Sequence, residues 1–276
     1  MAIADARQCR RLVAAAVVAV LATLPSLSAG ADSARTHTPT LMIKANDLAE
    51  LPPGLGTWSI VGCGITARDG WTLPPLANHN ATGPCAKGQD EIFTSYASFK
   101  AAVTAGQVTP GETVIFDPEK WLYTPHYETL NQAKYEALAG KLASARSIKL
   151  VFTPQGSPGP SLDAQYQVAA HYATLIEIQS QAYQGNPTAF KNQVLHDISV
   201  VRAINKSVPI LAGMASDPNG TPAVVTQMVA SYDAVAAHVA GFQLNLARWR
   251  APTGTGCAPS GCASIGVAFL HAVGVN

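Results

Sequence analysis

Beyond Thr109-Pro110-Gly111 the chain settles into one rhythm, in which short apolar, β-branched runs alternate with longer stretches of helical period. An apolar run of strand length is a strand covered on both faces, and a helical stretch between two such runs is a crossover. The rhythm therefore predicts βαβ units in a parallel sheet. Strands are read over residues 113–117, 148–153, 175–179, 208–213 and 241–246, each followed by a helix. The helices carry their own start signals: Asn186-Pro187 and Thr221-Pro222 each place an N-cap residue before a proline at the first helical position. Over residues 131–146, Tyr135, Leu138, Ala139 and Leu142 fall on one helical face, and Val225, Met228, Val229 and Tyr232 repeat that spacing. A last helix is read over residues 264–273.

Five clear βα units, with one or two more before Thr109, fit an α/β fold of the (β/α)8 or TIM-like barrel type, incomplete or irregular in its N-terminal third. An open doubly wound sheet shares the alternation. The chain lacks the Gly-rich phosphate loop that such sheets place after a strand, and this favours the barrel. Before Thr109, residues 57–88 are rich in Gly, Pro, Asn and Cys, with one strand-like stretch over 58–65. The expected organisation is a leader over 1–31, a flexible lead-in over 32–56 and a single barrel domain over 57–276.

The leader reading rests on Arg7, Arg10 and Arg11 ahead of a thirteen-residue run, 12–24, dominated by Val, Ala and Leu. That is the charged and apolar layout of a secretory signal, too short for a membrane span, with Ala29-Gly30-Ala31 as the cleavage site. Secretion or residence in the cell envelope follows, with no span left after cleavage. Export also bears on the cysteines. Removal of Cys9 leaves Cys63, Cys85, Cys257 and Cys262, and an even count in an oxidising compartment favours two disulfides. Closeness in sequence favours Cys63 with Cys85 and Cys257 with Cys262. The chain has 18 basic and 17 acidic residues; without the leader's three and one, the balance is 15 against 16. A nearly neutral protein has no basic stripe for phosphates, so nucleic acid is not an expected partner. Composition says nothing of oligomeric state.

In a parallel barrel the ligand site stands at the C-terminal ends of the strands. Parity sorts the residues there. Glu177, Gln179 and Gln181 share one strand face while Ile176 and Ile178 share the other, and Gln243 and Asn245 alternate with Leu244 and Leu246. Thr153 pairs with Gln155, and Ile115 with Asp117. Because helices cover the apolar face, the polar set is expected inside the barrel. Trp121, Tyr123, Tyr127, Arg248 and Trp249 lie close by in sequence. Amides and acids satisfy hydroxyls and aromatic faces cover pyranose rings, so a carbohydrate or other small polar ligand is the expected partner, with no cofactor. If the site is catalytic, the chemistry is glycosidic cleavage by strand-end carboxyls: Glu177 as acid, because its apolar neighbours imply burial, with Asp117 or Glu119 as its partner.

Competing chemistries lack their residues. There is no Gly-x-Ser-x-Gly elbow, and His79, His126, His171, His196, His238 and His271 are scattered without metal-ligand spacing. The sequence over 114–125 (Val-Ile-Phe-Asp-Pro-Glu-Lys-Trp followed by Thr124-Pro125), with Leu150-Val-Phe-Thr-Pro154, Ile176-Glu-Ile-Gln-Ser-Gln181 and Gly241-Phe-Gln-Leu-Asn245, resembles exported, mostly uncharacterised bacterial proteins. These have a glycoside hydrolase-like TIM barrel. The likeness runs from Glu112 to the C-terminus and implies the barrel more firmly than an activity; the Asp-x-x-Asp-x-Asp-x-Glu run of chitinase-like barrels is absent. Three readings remain open: a secreted glycoside hydrolase-like enzyme, a non-catalytic barrel that binds a glycan or small ligand, and a structural envelope protein.

Overall fold

The computed structural model describes residues 39–65, 91–119, 124–246, 257 and 259–276. They belong to the compact unit His37–Asn276. In chain order the elements are β1 (Thr40–Lys44), α1 (Ala45–Leu48), β2 (Ile60–Ile65), β3 (Glu91–Phe93), α2 (Tyr96–Thr104) and β4 (Thr113–Phe116). Then come α3 (His126–Thr129), α4 (Gln132–Ala145), β5 (Lys149–Phe152), α5 (Pro160–Tyr172), β6 (Leu175–Ile178), α6 (Pro187–Arg202), β7 (Ile210–Ala215), α7 (Val225–Asp233), β8 (Gly241–Asn245) and α8 (Pro259–Ala272). Each strand pairs in parallel with the next, and β8 pairs with β1, so the sheet closes into an eight-stranded parallel α/β barrel. No helix among the described residues is long and apolar enough to cross a membrane.

The five strands read from the apolar runs are present with ends shifted by a few residues, and the stretch over 58–65 supplies β2. The N-terminal third departs from expectation. The lead-in expected over 32–56 contains β1, whose Thr40–Lys44 pairs with both β2 and β8. With β3 it brings the barrel to closure, so the barrel starts well before residue 57 and is complete. Its irregularity is confined to the β2–β3 pairing, where the register shifts between Cys63 and Ile65. β1 offers only three consecutive apolar residues, Leu41, Met42 and Ile43, which is too short a run to stand out from its polar flanks. Closure at the seam requires a glycine: a Cβ on Gly241 would collide with the Thr40 backbone.

Parity along the strands divides the interior from the shell. Met42, Ile92, Ile115, Val151, Leu175 and Leu211 pack together inside the barrel, with Ile60 against them. Their neighbours on the other parity, including Ile43, Phe93, Phe116, Phe152, Ile176 and Phe242, join the larger core between sheet and helices. A fully buried side chain of this size contributes about 1.5–3 kcal/mol, so both layers hold the barrel together.

Two helix expectations are corrected. α4 buries Gln132, Glu136, Ala139, Gly140 and Ala143, so of the expected face Ala139 is buried while Tyr135, Leu138 and Leu142 are half-buried, Leu142 against the core. Gly140 sets that face, because a Cβ there would clash with the ring of Tyr172 on α5, and the close helix contact turns small residues inward. α7 begins at Val225, without a cap from Thr221, since the Ala223 N–H returns to bond the Ser216 carbonyl and keeps 221–223 extended. The Asn186 cap on α6 is present, its side chain accepting from the Ala189 N–H at 3.1 Å.

Candidate functional site

The interior parity continues past the apolar layer. Two residues on from Met42, Ile115, Val151, Leu175 and the backbone of Gly241 stand Lys44, Asp117, Thr153, Glu177 and Gln243. These groups line a cavity of about 350 Å³, counted with its part open to solvent, together with Glu119, Gln179, Gln181 and Asn245. Of the residues expected to form the site, Asp117, Glu119, Glu177, Gln179, Gln181, Gln243 and Asn245 are brought together here.

Gln155 is not, among the described residues, part of the lining. Pro154 ends the strand direction, and the carbonyl of Gln155 instead accepts from the side-chain amides of Gln132 (3.3 Å) and Gln165 (3.4 Å). Trp121, Tyr123, Arg248, Trp249 and Cys85 lie outside the described residues, and with Cys85 the Cys63–Cys85 pairing. Cys257 and Cys262 form a disulfide, their Cα atoms 5.5 Å apart. Tyr127 sits on α3 and packs its ring against Tyr135, with centroids 5.6 Å apart.

Asp117 is the hub of the site. One carboxyl oxygen accepts from the Thr153 hydroxyl at 2.7 Å and from the Gln179 amide at 3.1 Å, while the other faces the Lys44 ammonium at 4.0 Å. Gln179 also donates to the Thr153 carbonyl at 3.0 Å, so one amide ties the ends of β4, β5 and β6 together. Among the described residues, Glu177 receives a long contact from the Gln181 amide, 3.5 Å. Gly213 makes room for that pair: a Cβ there would lie 2.7 Å from Gln181 Nε2 and 2.9 Å from Glu177 Oε1.

Burial acts on both glutamates and on Lys44. Burial, with the nearby Asp117 charge, pushes the Glu177 carboxyl up to about 8, against a smaller opposing pull from Lys44. Glu119 is also raised to about 8 by burial and by Asp117, and it shares a hydrogen bond with the Asp117 carboxyl. For Lys44, burial alone would lower the pKa. The surrounding carboxylates, Asp117 first and then Glu119, Asp47 and Glu177, outweigh burial and hold it above the ordinary lysine range. A protonated carboxyl beside a charged one, inside a low-dielectric barrel, is a pairing that can exchange a proton with a ligand.

Lys44 and Asp47 were not legible as site residues, because the segment that carries them reads as a lead-in. A signal was available: Lys44 follows a Thr-Leu-Met-Ile run and precedes an acid by three residues. Asp47 is buried and accepts the Leu246 N–H at 3.1 Å, joining α1 to the end of β8. Two groups of metal-ligand residue types occur among the described residues. The Asp217, Cys257 and Cys262 group has its sulfurs joined in the disulfide. In the Asp163, His196 and Asp197 group, His196 already bonds Asp163 at 3.1 Å and Asp197 accepts from Gln193 at 2.9 Å.

No protein-family model and no curated protein matches the chain. Among solved structures it is similar to the HMG-CoA lyase of Brucella melitensis, with a TM-score of 0.48 and 10% identity over 86% of this chain and 99% of that one. An archaeal fructose 1,6-bisphosphate aldolase follows with a TM-score of 0.34 and 11% identity, covering 83% of this chain and 77% of that one. An active-site mutant of the Rhizomucor miehei β-1,3-glucanosyltransferase with laminaritriose gives a TM-score of 0.32 and 12% identity, covering 67% and 65%.

Proposed function

We propose that the chain is a secreted, glycoside hydrolase-like protein whose strand-end carboxyls act on a polysaccharide. The observation that carries this reading is Glu177: a buried carboxyl raised to about 8, at the C-terminal mouth of a barrel and in one cavity with Asp117. At neutral pH Glu177 holds the proton that a glycosidic leaving oxygen needs. Asp117, which accepts two hydrogen bonds and faces an ammonium, is the carboxylate that meets the positive charge developing at the sugar carbon, as nucleophile, base or stabiliser. Glu119 backs Asp117 through their shared hydrogen bond. Gln181, Gln243 and Asn245 offer amides to the sugar hydroxyls. Of the aromatic residues in the expected binding set, Trp121, Tyr123 and Trp249, together with Arg248, stay part of the proposal. The leader-like residues 1–31 and the Cys257–Cys262 disulfide support an extracytoplasmic setting, where glycans are the abundant ligands.

Release of reducing ends from a panel of cell-wall and storage polysaccharides tests the reading, with wild type run beside Glu177→Gln. Turnover by wild type and its loss in a folded Glu177→Gln protein are expected. Equal rates in the two would remove Glu177 from the acid role. One observation favours a second reading: Asp117 is already engaged by Thr153, Gln179 and Lys44, as it would be in a barrel that binds a glycan without cleaving it. In that case the variant weakens glycan binding in calorimetry, and no reducing ends appear with either protein. The further alternative, a structural envelope protein with an internally satisfied polar ring, predicts no thermal shift with any glycan.

A further inference from the structure

We propose that Lys44 is a positioning residue that decides how charge is shared among the carboxyls of the barrel mouth, keeping Asp117 as the carboxylate and leaving the proton to Glu177. The proposal rests on the acid and carboxylate roles given above. Its basis is geometric. Lys44 ends β1 on the interior parity, only 26% of its side chain is exposed, and its ammonium lies 4.0 Å from Asp117 Oδ2. The other oxygen of Asp117 is taken by the Thr153 hydroxyl and the Gln179 amide. Among the described residues, these donors around Asp117 therefore favour its anion. Glu177, on the interior parity of β6, has among the described residues the long Gln181 contact alone.

The groups that face Lys44 come from several elements. Asp117 and Glu119 stand at the end of β4, Glu177 on β6 and Asp47 on α1, and the Tyr166 ring of α5 lies near Glu177 from outside the barrel. Among the described residues lining the cavity, Lys44 is the one cation. Its removal would leave these acids facing one another in a dry interior, where like charges can be relieved only by sharing protons. The same surroundings hold Lys44 as an ammonium while Glu177 titrates, so it is not an amine nucleophile. Asp47 is itself fixed by the Leu246 N–H, and it restrains the chain just beyond Lys44.

Carbon-13 NMR of protein labelled at the Asp and Glu carboxyls, titrated without any ligand, tests the assignment. In Lys44→Met the Glu177 midpoint should move upward by about 1–3 in pH, the usual reach of one nearby opposite charge. Lys44→Arg, which keeps the charge, should return it toward wild type. An unmoved Glu177 midpoint in Lys44→Met, or no recovery in Lys44→Arg, would overturn the proposal. Should Lys44→Met fail to fold, Asp117→Asn serves in its place: it frees Lys44 to face the glutamates, so the Glu177 midpoint must fall, and a midpoint that stays put overturns the assignment. Where a glycan is turned over, Lys44→Met should shift the alkaline limb of kcat with a smaller change in KM; a fall in kcat at every pH without that shift marks a merely structural role and also overturns it. The titration needs no substrate, so it is read even if no glycan is cleaved, and the two ideas can fail separately.

Discussion

Two storeys of one barrel interior differ in almost everything except their backbone. The lower storey, Met42, Ile92, Ile115, Val151, Leu175 and Leu211, is apolar and buried. Two residues further along the same strands, the upper storey presents Lys44, Asp117, Thr153 and Glu177 to a cavity. A parallel barrel directs alternate side chains inward over its whole height, so the fold itself does not choose between these chemistries. The contrast teaches that the lower storey bears the cost of the upper one. Its packed methyls stabilise a scaffold rigid enough to hold two raised carboxyls where desolvation works against their charge.

Substitutions should break that contrast in opposite ways. The largest effect is expected at Glu177: Glu177→Gln should lower kcat on a cleaved glycan by about 10²–10⁴-fold, the range of general acid catalysis. Thermal unfolding should change little. In wild type, kcat should fall as the pH passes about 8, where Glu177 loses its proton; a profile rising through that region would contradict the acid role. One storey down, Leu211→Ala, a member of the apolar cluster that does not line the cavity, should cost about 2–5 kcal/mol in denaturant unfolding, with kcat per folded molecule preserved. If activity vanished while stability held, the lower storey would be more than support.

Gly213 stands on β7 in the upper storey, two residues on from Leu211 and in register with Gln243. Gly213→Ala would push Gln181 and Glu177 away from position 213, and kcat should fall by about 10- to 100-fold, the penalty of moving a catalytic group by roughly 1 Å. An unchanged rate would mean that the position of Glu177 is not critical. The smallest effect sharpens the comparison from outside the barrel. Glu136 on α4 is fully buried, has no hydrogen-bond partner for either oxygen among the described residues, and is raised from 4.5 to about 8 by burial alone. The folded protein holds that proton more tightly than the unfolded chain. Its contribution to stability is therefore fully present below about 4.5 and is lost as the pH rises to about 8. Glu136→Gln should flatten part of the fall in melting temperature across that window and leave turnover alone. An equally steep fall in the variant would show that Glu136 does not titrate there. Burial raises a carboxyl wherever it acts; Glu177 differs from Glu136 in having a cavity and a charged neighbour.

Much of the barrel was legible because its driving pattern is local. Strands β4 to β8 are apolar runs between helical stretches, and parity alone placed Asp117, Glu177, Gln179, Gln243 and Asn245 on the interior side. Pattern failed where a contact distant in sequence set the outcome. β1 is a short run that becomes a strand by pairing on both edges, with β2 and β8. The buried face of α4 follows from Gly140 meeting Tyr172, and Gln155 leaves the site at Pro154 despite sharing parity with Thr153.

By itself, then, the sequence determined the alternation of strand and helix and the face on which each polar residue stands, since both follow from the fixed periods of the backbone. Only the tertiary structure decided which of those residues meet. Lys44 and Asp117 are 73 positions apart, and they come within 4.0 Å because the sheet closes on itself through β1. The charge balance of the site belongs to that closure, since the force between two charges depends on their separation in space.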